Sequence, residues 1–386
     1  MVFKAGIWSG IIILTLSLAG CGKAAALHQT SPQPPVTQTQ PLQLSQITMV
    51  SDKNGWALSS QGVVSTTDGG LKWTTRNPKT LTTDLSGSIL ENIATAFPSS
   101  NEAVIAQETT TAIHIWTTKD GGIHWTSEVQ KPSESIIQNN FNGKIQMQFT
   151  TAQTGLLILA SQGNAGSTSD ALLQTTDGGI NWRVLQESSP GSTFENVDSV
   201  AMSPSGMGIA SVNTVITGRA EILMTTDGGQ SWVSQPLPLL HVSIYDQVAE
   251  GPPEYQGAQS YWFWVSLFND HTHKQRWLVE HSSNGGTQWT SIPWNQSIPQ
   301  PGTLGGVYLW PQPLEVQLLV ADSNGTEIWR WTSGASWQRV SHVPIDHIKS
   351  VSLLPNGDGW VIGDTGSYQT TNGGATWHPW SPQLHQ

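Results

Sequence analysis

Seven short apolar runs recur along the chain, separated by polar segments that are rich in Gly, Thr and Ser. The runs are GWAL at 55–58, AVIA at 103–106, GLLI at 155–158, GMGI at 206–209, WFWV at 262–265, VQLL at 316–319 and GWVI at 359–362. Four consecutive apolar residues between turn-forming residues favour a buried β-strand over a helix. A further β-like stretch precedes several runs, for example at residues 47–50 and 348–351.

A second motif, termed the box, follows each apolar run. It combines two hydroxyl side chains, an acid or amide, two glycines and a tryptophan three residues after the second glycine. The copies are TTDGGLKW at 66–73, TTKDGGIHW at 117–125, TTDGGINW at 175–182, TTDGGQSW at 225–232, SSNGGTQW at 282–289, the degenerate TSGASW at 332–337 and TTNGGATW at 370–377. Their key residues are Asp68, Trp73, Asp120, Trp125, Asp177, Trp182, Asp227, Trp232, Asn284, Trp289, Trp337, Asn372 and Trp377. Repetition of this kind predicts one structural unit per copy.

Each unit has the pattern of four strands, with the box forming the hairpin between the third and the fourth. Four-stranded units that recur every 40–50 residues or so are typical of propeller blades. The sequence therefore predicts an all-β, seven-bladed β-propeller of four-stranded blades over residues 42–381. Residues 382–386 are expected to form a C-terminal tail, and the pattern does not indicate how the ring closes.

The residue types of the box predict a structural role. Its acid can accept hydrogen bonds from backbone N–H groups of its own turn, its glycines can adopt positive φ, and its tryptophan can bury a large ring between blades. Metal binding is the alternative role for the acids. Asn284 and Asn372 replace the acid in two copies, and an amide keeps the acceptor but loses the charge that a hard cation prefers. We therefore expect no metal site and no cofactor.

The N-terminal segment predicts export. Lys4 precedes a mostly apolar run at residues 5–16, and Leu18-Ala19-Gly20-Cys21 follows. This order resembles the lipobox of bacterial lipoproteins, in which the signal peptide, here residues 1–20, is removed and the new N-terminal cysteine is acylated. Residues 21–41 are polar and proline-rich, which predicts a flexible linker. The resemblance implies an extracytoplasmic protein anchored to the bacterial cell membrane; an ordinary secretory signal is the alternative.

Composition narrows the classes of partner. Only 11% of the 386 residues are charged and the net charge is −11 at pH 7, so no basic surface for nucleic acid is expected. Cys21 is the only cysteine, which excludes a disulfide within the chain and a zinc site built on several thiolates. The glycine pairs belong to the boxes, so we expect no phosphate-binding loop.

The boxes resemble those of the BNR or Asp-box repeat proteins. The pairing of GWVIG with TTNGGATW at residues 359–377, and a similar pairing at 55–73, resembles the photosystem II stability and assembly factor family in particular. That resemblance implies a seven-bladed propeller that binds a membrane or envelope protein. The chain has only six arginines, too few for the basic partner surface of the photosynthetic members. A non-photosynthetic relative is therefore expected.

The sequence favours a non-catalytic module that binds or assembles a protein partner, and we predict no enzymatic activity. A carbohydrate-binding or divergent, sialidase-like glycosidase propeller is the alternative, because box repeats also occur in sialidases. The Arg-Ile-Pro signature of sialidases is absent, and a loop tip explains His271 and His273 beside Asp270 better than a metal site does. Paired carboxylates in a pocket would favour glycoside hydrolysis.

Two long segments that flank the fifth unit, residues 235–259 and 294–312, are the candidate partner-binding regions. Their aromatic candidates are Tyr245, Tyr255, Trp294, Tyr308 and Trp310. Residues beyond the common blade often carry the individual function of a repeat protein, and Trp and Tyr dominate protein interfaces. We expect one aromatic surface with acids, including Glu250 and Glu254, at its rim. Long Pro-rich connections without a function are the alternative.

The first testable prediction concerns the anchor. We expect the mature chain to begin at Cys21 and to carry lipid, because the lipobox places a lone thiol at the cleavage site. Mass spectrometry of the protein from its native membrane should show an acylated N-terminal peptide. A mature chain that begins elsewhere, or a Cys21 with a free thiol, would contradict this prediction.

Overall fold

The computed structural model describes residues 40–81, 92–109, 111–133, 144–160, 170–188, 191–212, 220–238, 242–299, 306–312 and 315–385. Residues 1–39, with the predicted signal peptide and Cys21, lie outside these ranges. In the described ranges the chain forms strands and turns without an α-helix, and the strands make seven sheets. The predicted all-β, seven-bladed propeller is confirmed. None of the described residues belongs to a helix that is long and apolar enough to cross a membrane.

The strands are numbered in chain order. They are β1 Gln40–Pro41, β2 Leu44–Met49, β3 Gly55–Ser59, β4 Gly62–Thr66, β5 Lys72–Thr75, β6 Ile93–Ala96, β7 Ala103–Glu108, β8 Ile113–Thr118, β9 Thr126–Gln130, β10 Lys144–Phe149, β11 Gly155–Ala160, β12 Ala171–Thr175, β13 Arg183–Glu187, β14 Val197–Met202, β15 Gly208–Val212 and β16 Glu221–Thr225. The remaining strands are β17 Val233–Pro236, β18 Asp246–Glu250, β19 Glu254–Tyr255, β20 Tyr261–Asn269, β21 Lys274–Ser282, β22 Thr290–Pro293, β23 Val307–Gln312, β24 Glu315–Asp322, β25 Gly325–Thr332, β26 Gln338–Val343, β27 Ile348–Leu353, β28 Gly359–Gly363, β29 Ser367–Thr370, β30 His378–Pro379 and β31 Gln383–Leu384.

Each blade is an antiparallel sheet whose four main strands follow chain order. Blades 1 to 7 begin at β2, β6, β10, β14, β18, β23 and β27. First strands of several adjacent blades contact each other, as β2 with β27 and β6 with β10, and the first strands surround a central channel. In blade 1, Gly55 pairs with both Met49 and Thr66, so the first turn and the box lie at the same end of the blade. We call this end of the ring the box face, and the opposite end, with the turn between the second and third strands, the loop face.

Hydrogen bonds within the box explain its residue types. In blade 1, Asp68 Oδ1 accepts hydrogen bonds from Thr66 Oγ1 and from Lys72 N, both at 2.9 Å. Thr66 Oγ1 accepts one from Gly70 N at 3.1 Å, and Trp73 Nε1 donates to Gly70 O at 2.7 Å. The side chains thus satisfy the polar groups of a tight turn and fix the tryptophan ring beside it.

The two boxes with an amide close in the same way. Asn284 Oδ1 accepts a hydrogen bond from Gln288 N at 2.9 Å, and Asn372 Oδ1 accepts one from Thr376 N at 3.0 Å. Closure of the turn therefore requires the side-chain acceptor at this position and does not require its negative charge.

Each box also packs against the preceding blade. Gly179 of blade 3 has a φ of +90°, and a Cβ at this position would lie 2.7 Å from Val104 Cγ2 in blade 2. Gly286 of blade 5 approaches Met224 and Ile209 of blade 4 in the same manner. Glycine alone accommodates both the positive φ and the narrow gap. The box is therefore both a turn and the contact between successive blades.

The ring closes through the two ends of the described chain. Strand β31 pairs in parallel with β5, and β1 pairs antiparallel with β31, so that both terminal strands extend blade 1. Trp380 continues the outer strand of blade 7, because its N–H group donates to Ser367 O at 2.8 Å. Its ring contacts Trp73 edge-on at 6.5 Å and fills the space beside Gly70 of the first box. At the channel, Ile47 N and Met49 N donate to the hydroxyl groups of Ser350 and Ser352 of blade 7.

This closure differs from the sequence-based expectation. Residues 382–386 were expected to be a tail and residues 21–41 a linker, yet residues 383–384 and 40–41 are strands. The outer strand of a blade exposes backbone N–H and C=O groups, and any short extended segment can pair with them. Such pairing does not need an apolar pattern, so the sequence pattern does not reveal it.

Blade 6 is complete although its box is degenerate. Its four strands form a continuous sheet. Without the second glycine of the box, Trp337 Nε1 donates instead to Pro293 O of blade 5 at 3.0 Å. Blade 5 contributes a series of ring contacts to this junction: Trp264 lies tilted against Trp277 with ring centroids 5.2 Å apart, and Trp277 stacks on Trp294 at 5.1 Å. Burial of large rings replaces the box contact at this blade junction.

Glu280 on β21 is a carboxylate in an apolar position. It lies two residues before the box hydroxyl, where blades 1, 3 and 4 carry Val64, Leu173 and Leu223. The side chain is fully buried, and neither of its oxygens makes a hydrogen bond of good geometry with a described residue. Burial raises the pKa of Glu280 to about 7, and the nearby Ser291 hydroxyl offsets only part of this rise.

The box geometry predicts the effect of two substitutions in blade 3. Trp182→Ala should lower the free energy of unfolding by about 3–5 kcal/mol, because the buried ring leaves a cavity between blades. Asp177→Asn should cost much less, since the amide oxygen can still accept the hydrogen bonds from the turn. Urea denaturation of both variants measures the difference. Equal losses, restored by Ca²⁺, would contradict this account.

Glu280 predicts that stability depends on pH. The unfolded side chain loses its proton near pH 4.5, whereas the folded one keeps it up to about pH 7. Its contribution is therefore most favourable below pH 4.5 and declines as the pH rises to 7. Relative to the parent, Glu280→Gln should gain roughly 2–3 kcal/mol of stability between pH 4.5 and pH 8. Denaturation curves across this range measure the gain, with Glu187→Gln on the exposed end of β13 as the control. Parallel pH profiles for parent and Glu280→Gln would show that the carboxyl group is not buried.

Candidate functional site

The first strand of blade 5 is interrupted where it faces the channel. Strand β18 pairs with β20 as far as Glu250, and β19 resumes the pairing at Glu254. The residues between them are Gly251, Pro252 and Pro253, and proline has no N–H group to donate to a sheet. Gly251 N makes the last bond before the break, to the carbonyl oxygen of residue 264 at 2.8 Å. The break brings Pro252 and the residues of β19 to the walls of the channel.

A cavity of about 290 Å³ lies at the box end of the channel, between β19 of blade 5, β23 of blade 6 and β27 of blade 7. We call it the channel cavity. Its polar lining consists of Glu254, Gln256 and Gln312, and its aromatic lining consists of Tyr255 and Trp310. Aliphatic and proline side chains form the remaining wall. One carboxyl group, two amides and aromatic rings thus face one small space.

Glu254 is the titratable acid of the channel cavity. Its side chain is exposed to the solvent of the channel, and partial desolvation between the channel walls raises its pKa to about 7. No described residue makes a hydrogen bond with its carboxyl group. Below pH 7 the group is therefore mainly protonated, and it can both donate and accept hydrogen bonds.

A second cavity, of about 350 Å³, lies deeper in the channel against the first strands of blades 1 to 4. We call it the amide cavity. Its polar lining consists of Gln46, Thr95, Gln146, Gln148 and Ser199, and Pro252 contributes to it from the interrupted strand. Thr95 Oγ1 donates to Gln46 Oε1 at 3.0 Å, which joins blades 1 and 2. The lining has no charged side chain, so the cavity suits a neutral polar ligand.

The structure brings together two of the five aromatic candidates. Tyr255 and Trp310 both line the channel cavity. Tyr255 is half-buried against Tyr261, with ring centroids 5.2 Å apart. Trp310 is only 3% exposed, so it forms a fixed part of the wall rather than a protruding anchor. Tyr308 lies behind this wall and donates a hydrogen bond to Ile348 O at 3.2 Å.

The other two candidates lie elsewhere, so the five residues do not form the single surface that the sequence suggested. Trp294 belongs to the stacked rings between blades 5 and 6. Tyr245 precedes β18 and is half exposed at the loop face. Proximity along the chain misled the prediction, because successive positions of a strand point in opposite directions and its two ends lie on opposite faces of the ring.

Sequence reasoning placed Glu254 at the rim of an interface and overlooked the amide cavity. The break at residues 251–253 decides the position of Glu254, and the sequence signal for the break was the pair of consecutive prolines within residues 235–259. The sequence feature that could have indicated the amide cavity was the presence of glutamines in the β-like stretches before two apolar runs. Gln46 precedes the run at 55–58, and Gln146 and Gln148 precede the run at 155–158. Polar residues in the first strand of a blade face the channel, which becomes clear only once the strand order is known.

The alternative metal chemistry finds no support in the described part of the chain. Asp270, His271 and His273 lie in the turn between β20 and β21, where Asp270 accepts a hydrogen bond from Gln247 Nε2 at 2.7 Å. The described ranges contain no group of three or more His, Cys, Asp or Glu side chains placed to hold a metal ion.

No family model and no curated protein matches the chain. Solved structures with a similar fold include an ulvan lyase, which is a polysaccharide lyase, with a TM-score of 0.46, 8% identity and coverage of 73% of this chain and 80% of the lyase. A six-bladed fucose-binding lectin of Aleuria aurantia has a TM-score of 0.43 and 12% identity, covering 78% of this chain and 94% of the lectin. A sialidase of Streptococcus pneumoniae has a TM-score of 0.43 and 10% identity, covering 76% of this chain and 68% of the sialidase. At these identities the similarity concerns the propeller fold alone.

These similarities bear on two sequence-based predictions. The prediction that the chain is not an enzyme is wrong, because propellers of similar fold include a lyase and a sialidase and the fold is compatible with catalysis. The similar folds include a carbohydrate-binding lectin and carbohydrate-cleaving enzymes, which belong to the alternative class that the sequence analysis named. The closer resemblance to photosystem II assembly factors stays a prediction.

Proposed function

We propose that the protein binds a saccharide in the channel cavity. The observation that carries this proposal is the convergence of Glu254, Tyr255, Gln256 and Gln312 on one small cavity with an apolar wall. Small-molecule sites are concave and mostly apolar, with a few polar groups that fix orientation, and about 300 Å³ is the lower end of their usual volume. A ligand of one or two sugar rings has this mixture of hydroxyl groups and apolar C–H faces.

Each lining group has a role in such a complex. The Tyr255 ring offers an apolar face for the C–H side of a sugar, and Tyr261 and Trp310 hold the surrounding wall in place. The amides of Gln256 and Gln312 can each donate to one hydroxyl group and accept from another. The protonated carboxyl of Glu254 adds a further donor below pH 7.

Cleavage of the saccharide is the second candidate activity, and the raised pKa of Glu254 favours it. A carboxyl group that is protonated near neutral pH can act as a general acid towards a glycosidic oxygen. Hydrolysis by the usual pair of carboxylates needs a second acid about 5–10 Å away. Glu254 is the single carboxylate among the described lining residues, so binding is the function that the cavity supports best.

We further propose that this site operates outside the cytoplasm, on a protein tethered through a lipid on Cys21. The lipobox and the polar linker that precede the propeller support this location. A tether would hold the channel within reach of glycans of the cell envelope.

Calorimetric titration with a panel of neutral mono- and oligosaccharides tests the proposed function. We expect Tyr255→Ala to weaken binding at least tenfold, and Tyr245→Ala, a matched change at the loop face, to leave it unchanged. Binding by the parent should weaken as the pH rises through 7, because Glu254 then loses its donor, whereas Glu254→Gln should bind with little dependence on pH. Thermal unfolding of each variant confirms that the fold is intact.

Two results would overturn the proposal. One is that no saccharide of the panel binds the parent at millimolar concentration. The other is equal affinity for the parent and for Tyr255→Ala. Release of a shortened or unsaturated sugar by the parent, lost in Glu254→Gln, would instead assign the cleavage activity.

A further inference from the structure

The two cavities belong to one channel. The channel cavity lies against blades 5, 6 and 7, and the amide cavity lies against blades 1 to 4 and one residue of blade 5. Together they involve all seven blades around a single ring, and blade 5 contributes to both. Its interrupted first strand places Pro252 in the amide cavity and Glu254 in the channel cavity. Both residues are exposed to the solvent of the channel.

The step from one cavity to the other is short. Pro252 and Glu254 are two residues apart, which corresponds to about 7 Å in an extended segment. Pro253 between them is buried, so its side chain does not block the channel. A ligand that leaves one cavity along this segment therefore enters the other. A chain of sugar rings has the extended shape that such a path requires.

Several polar groups of the amide cavity lack a partner within the described part of the protein. Ser199 is only 5% exposed, and no described residue makes a hydrogen bond with its hydroxyl group. The side-chain amide of Gln146 likewise has no such partner. Gln148 Oε1 accepts a hydrogen bond from Met202 N at 3.0 Å, which leaves its Nε2 group as a donor. Because polar groups inside a protein are normally hydrogen-bonded, these groups are available to a polar ligand that displaces the water of the channel.

The lining of both cavities disfavours a charged ligand. The described lining residues of the amide cavity carry no charge, and those of the channel cavity include one carboxyl group and no cation. The chain as a whole carries a net charge of −11. A carboxylate or sulfate group on the ligand would therefore lose water without gaining a counter-charge. Hydroxyl groups can both donate to amides and accept from them, so the two cavities suit a neutral sugar chain.

The cavity volumes indicate the length of this chain. The channel cavity has about 290 Å³, and the amide cavity is slightly larger, with about 350 Å³. Small-molecule sites usually enclose about 300–1,000 Å³, so each cavity alone lies near the lower end and the two together lie well inside the range. If the channel cavity takes one or two sugar rings, both cavities together take roughly three to four.

We propose, building on the saccharide site in the channel cavity, that the amide cavity is a second subsite and that the ligand is a neutral oligosaccharide of about three to four units. One end of the sugar chain lies against Glu254 and Tyr255. The chain then passes Pro252, and its other end bonds to Gln146 and Ser199. Oligosaccharides that carry carboxylate or sulfate groups are disfavoured.

The dependence of affinity on chain length tests the second subsite. Calorimetric titration at pH 6 uses cello-, malto- and chito-oligosaccharides of one to six units. In a series that binds, we expect the affinity to rise at least tenfold from the disaccharide to the tetrasaccharide, with little further gain beyond it. Galacturonic acid oligomers of the same lengths, which carry one carboxylate per unit, should bind at least tenfold more weakly than the neutral chains.

Variants separate the second subsite from the first. Gln146→Leu, which replaces the amide by an apolar group of similar size, should abolish the gain for the tetrasaccharide without changing the affinity for the disaccharide. Ser199→Ala should reduce the same gain. Gln153→Leu, the same change at an exposed turn of blade 3, should alter neither affinity. Equal melting temperatures show that the variants fold.

The possible failures of the second subsite and of the proposed function differ. The second subsite is overturned if the tetrasaccharide binds no more tightly than the disaccharide, or if Gln146→Leu and Ser199→Ala both keep the gain. Disaccharide binding that depends on Tyr255 would then still support a sugar in the channel cavity. Equal affinity for the galacturonic acid oligomers would overturn the preference for a neutral chain. A complete lack of binding at every length would overturn the second subsite and the proposed function together.

Discussion

The contact between each box and the preceding blade is the constraint on which the rest of the structure depends. A glycine with positive φ, such as Gly179 or Gly286, lets one blade approach the face of the next so closely that a side chain would collide. Every box must therefore have a neighbour. The neighbour of the first box is Trp380, which follows the outer strand of blade 7 and is bonded through its N–H group to Ser367 O. When each box packs against the preceding blade, the blades form a closed ring around a channel that is lined by their first strands. The candidate site lies in this channel.

Much of this architecture could be predicted from the sequence because its causes repeat. The apolar run and the box recur seven times, with one degenerate box, and each copy predicts a buried strand followed by a turn. Ring closure could not be predicted, because β31 is held by backbone hydrogen bonds that do not constrain side chains at residues 383–384. The sequence pattern also did not predict that contacts among the rings of Trp264, Trp277 and Trp294 replace the sixth box, because these contacts join residues on different strands.

The candidate site was predictable only in part, and the reason lies in blade 5. The aromatic segments that flank it were recognised, and Tyr255 and Trp310 do meet in one cavity. Their meeting depends on the break in the first strand at residues 251–253, whose effect on neighbouring residues is three-dimensional. The same blade departs from the repeat in its long hairpin and in the buried Glu280. Blade 6, with its degenerate box and its eight-residue strands β24 and β25, also departs from the repeat, but the interrupted first strand belongs to blade 5.

The central claim is that the ligand of this propeller lies in the channel cavity and contacts Glu254 and Tyr255. A crystal structure of the mature chain with a bound oligosaccharide tests it most directly. The account predicts a sugar ring against the Tyr255 side chain, with a hydroxyl group within hydrogen-bond distance of a Glu254 carboxyl oxygen. A sugar bound on the loop face or on an outer strand, with Glu254 and Tyr255 free of it, would contradict the account.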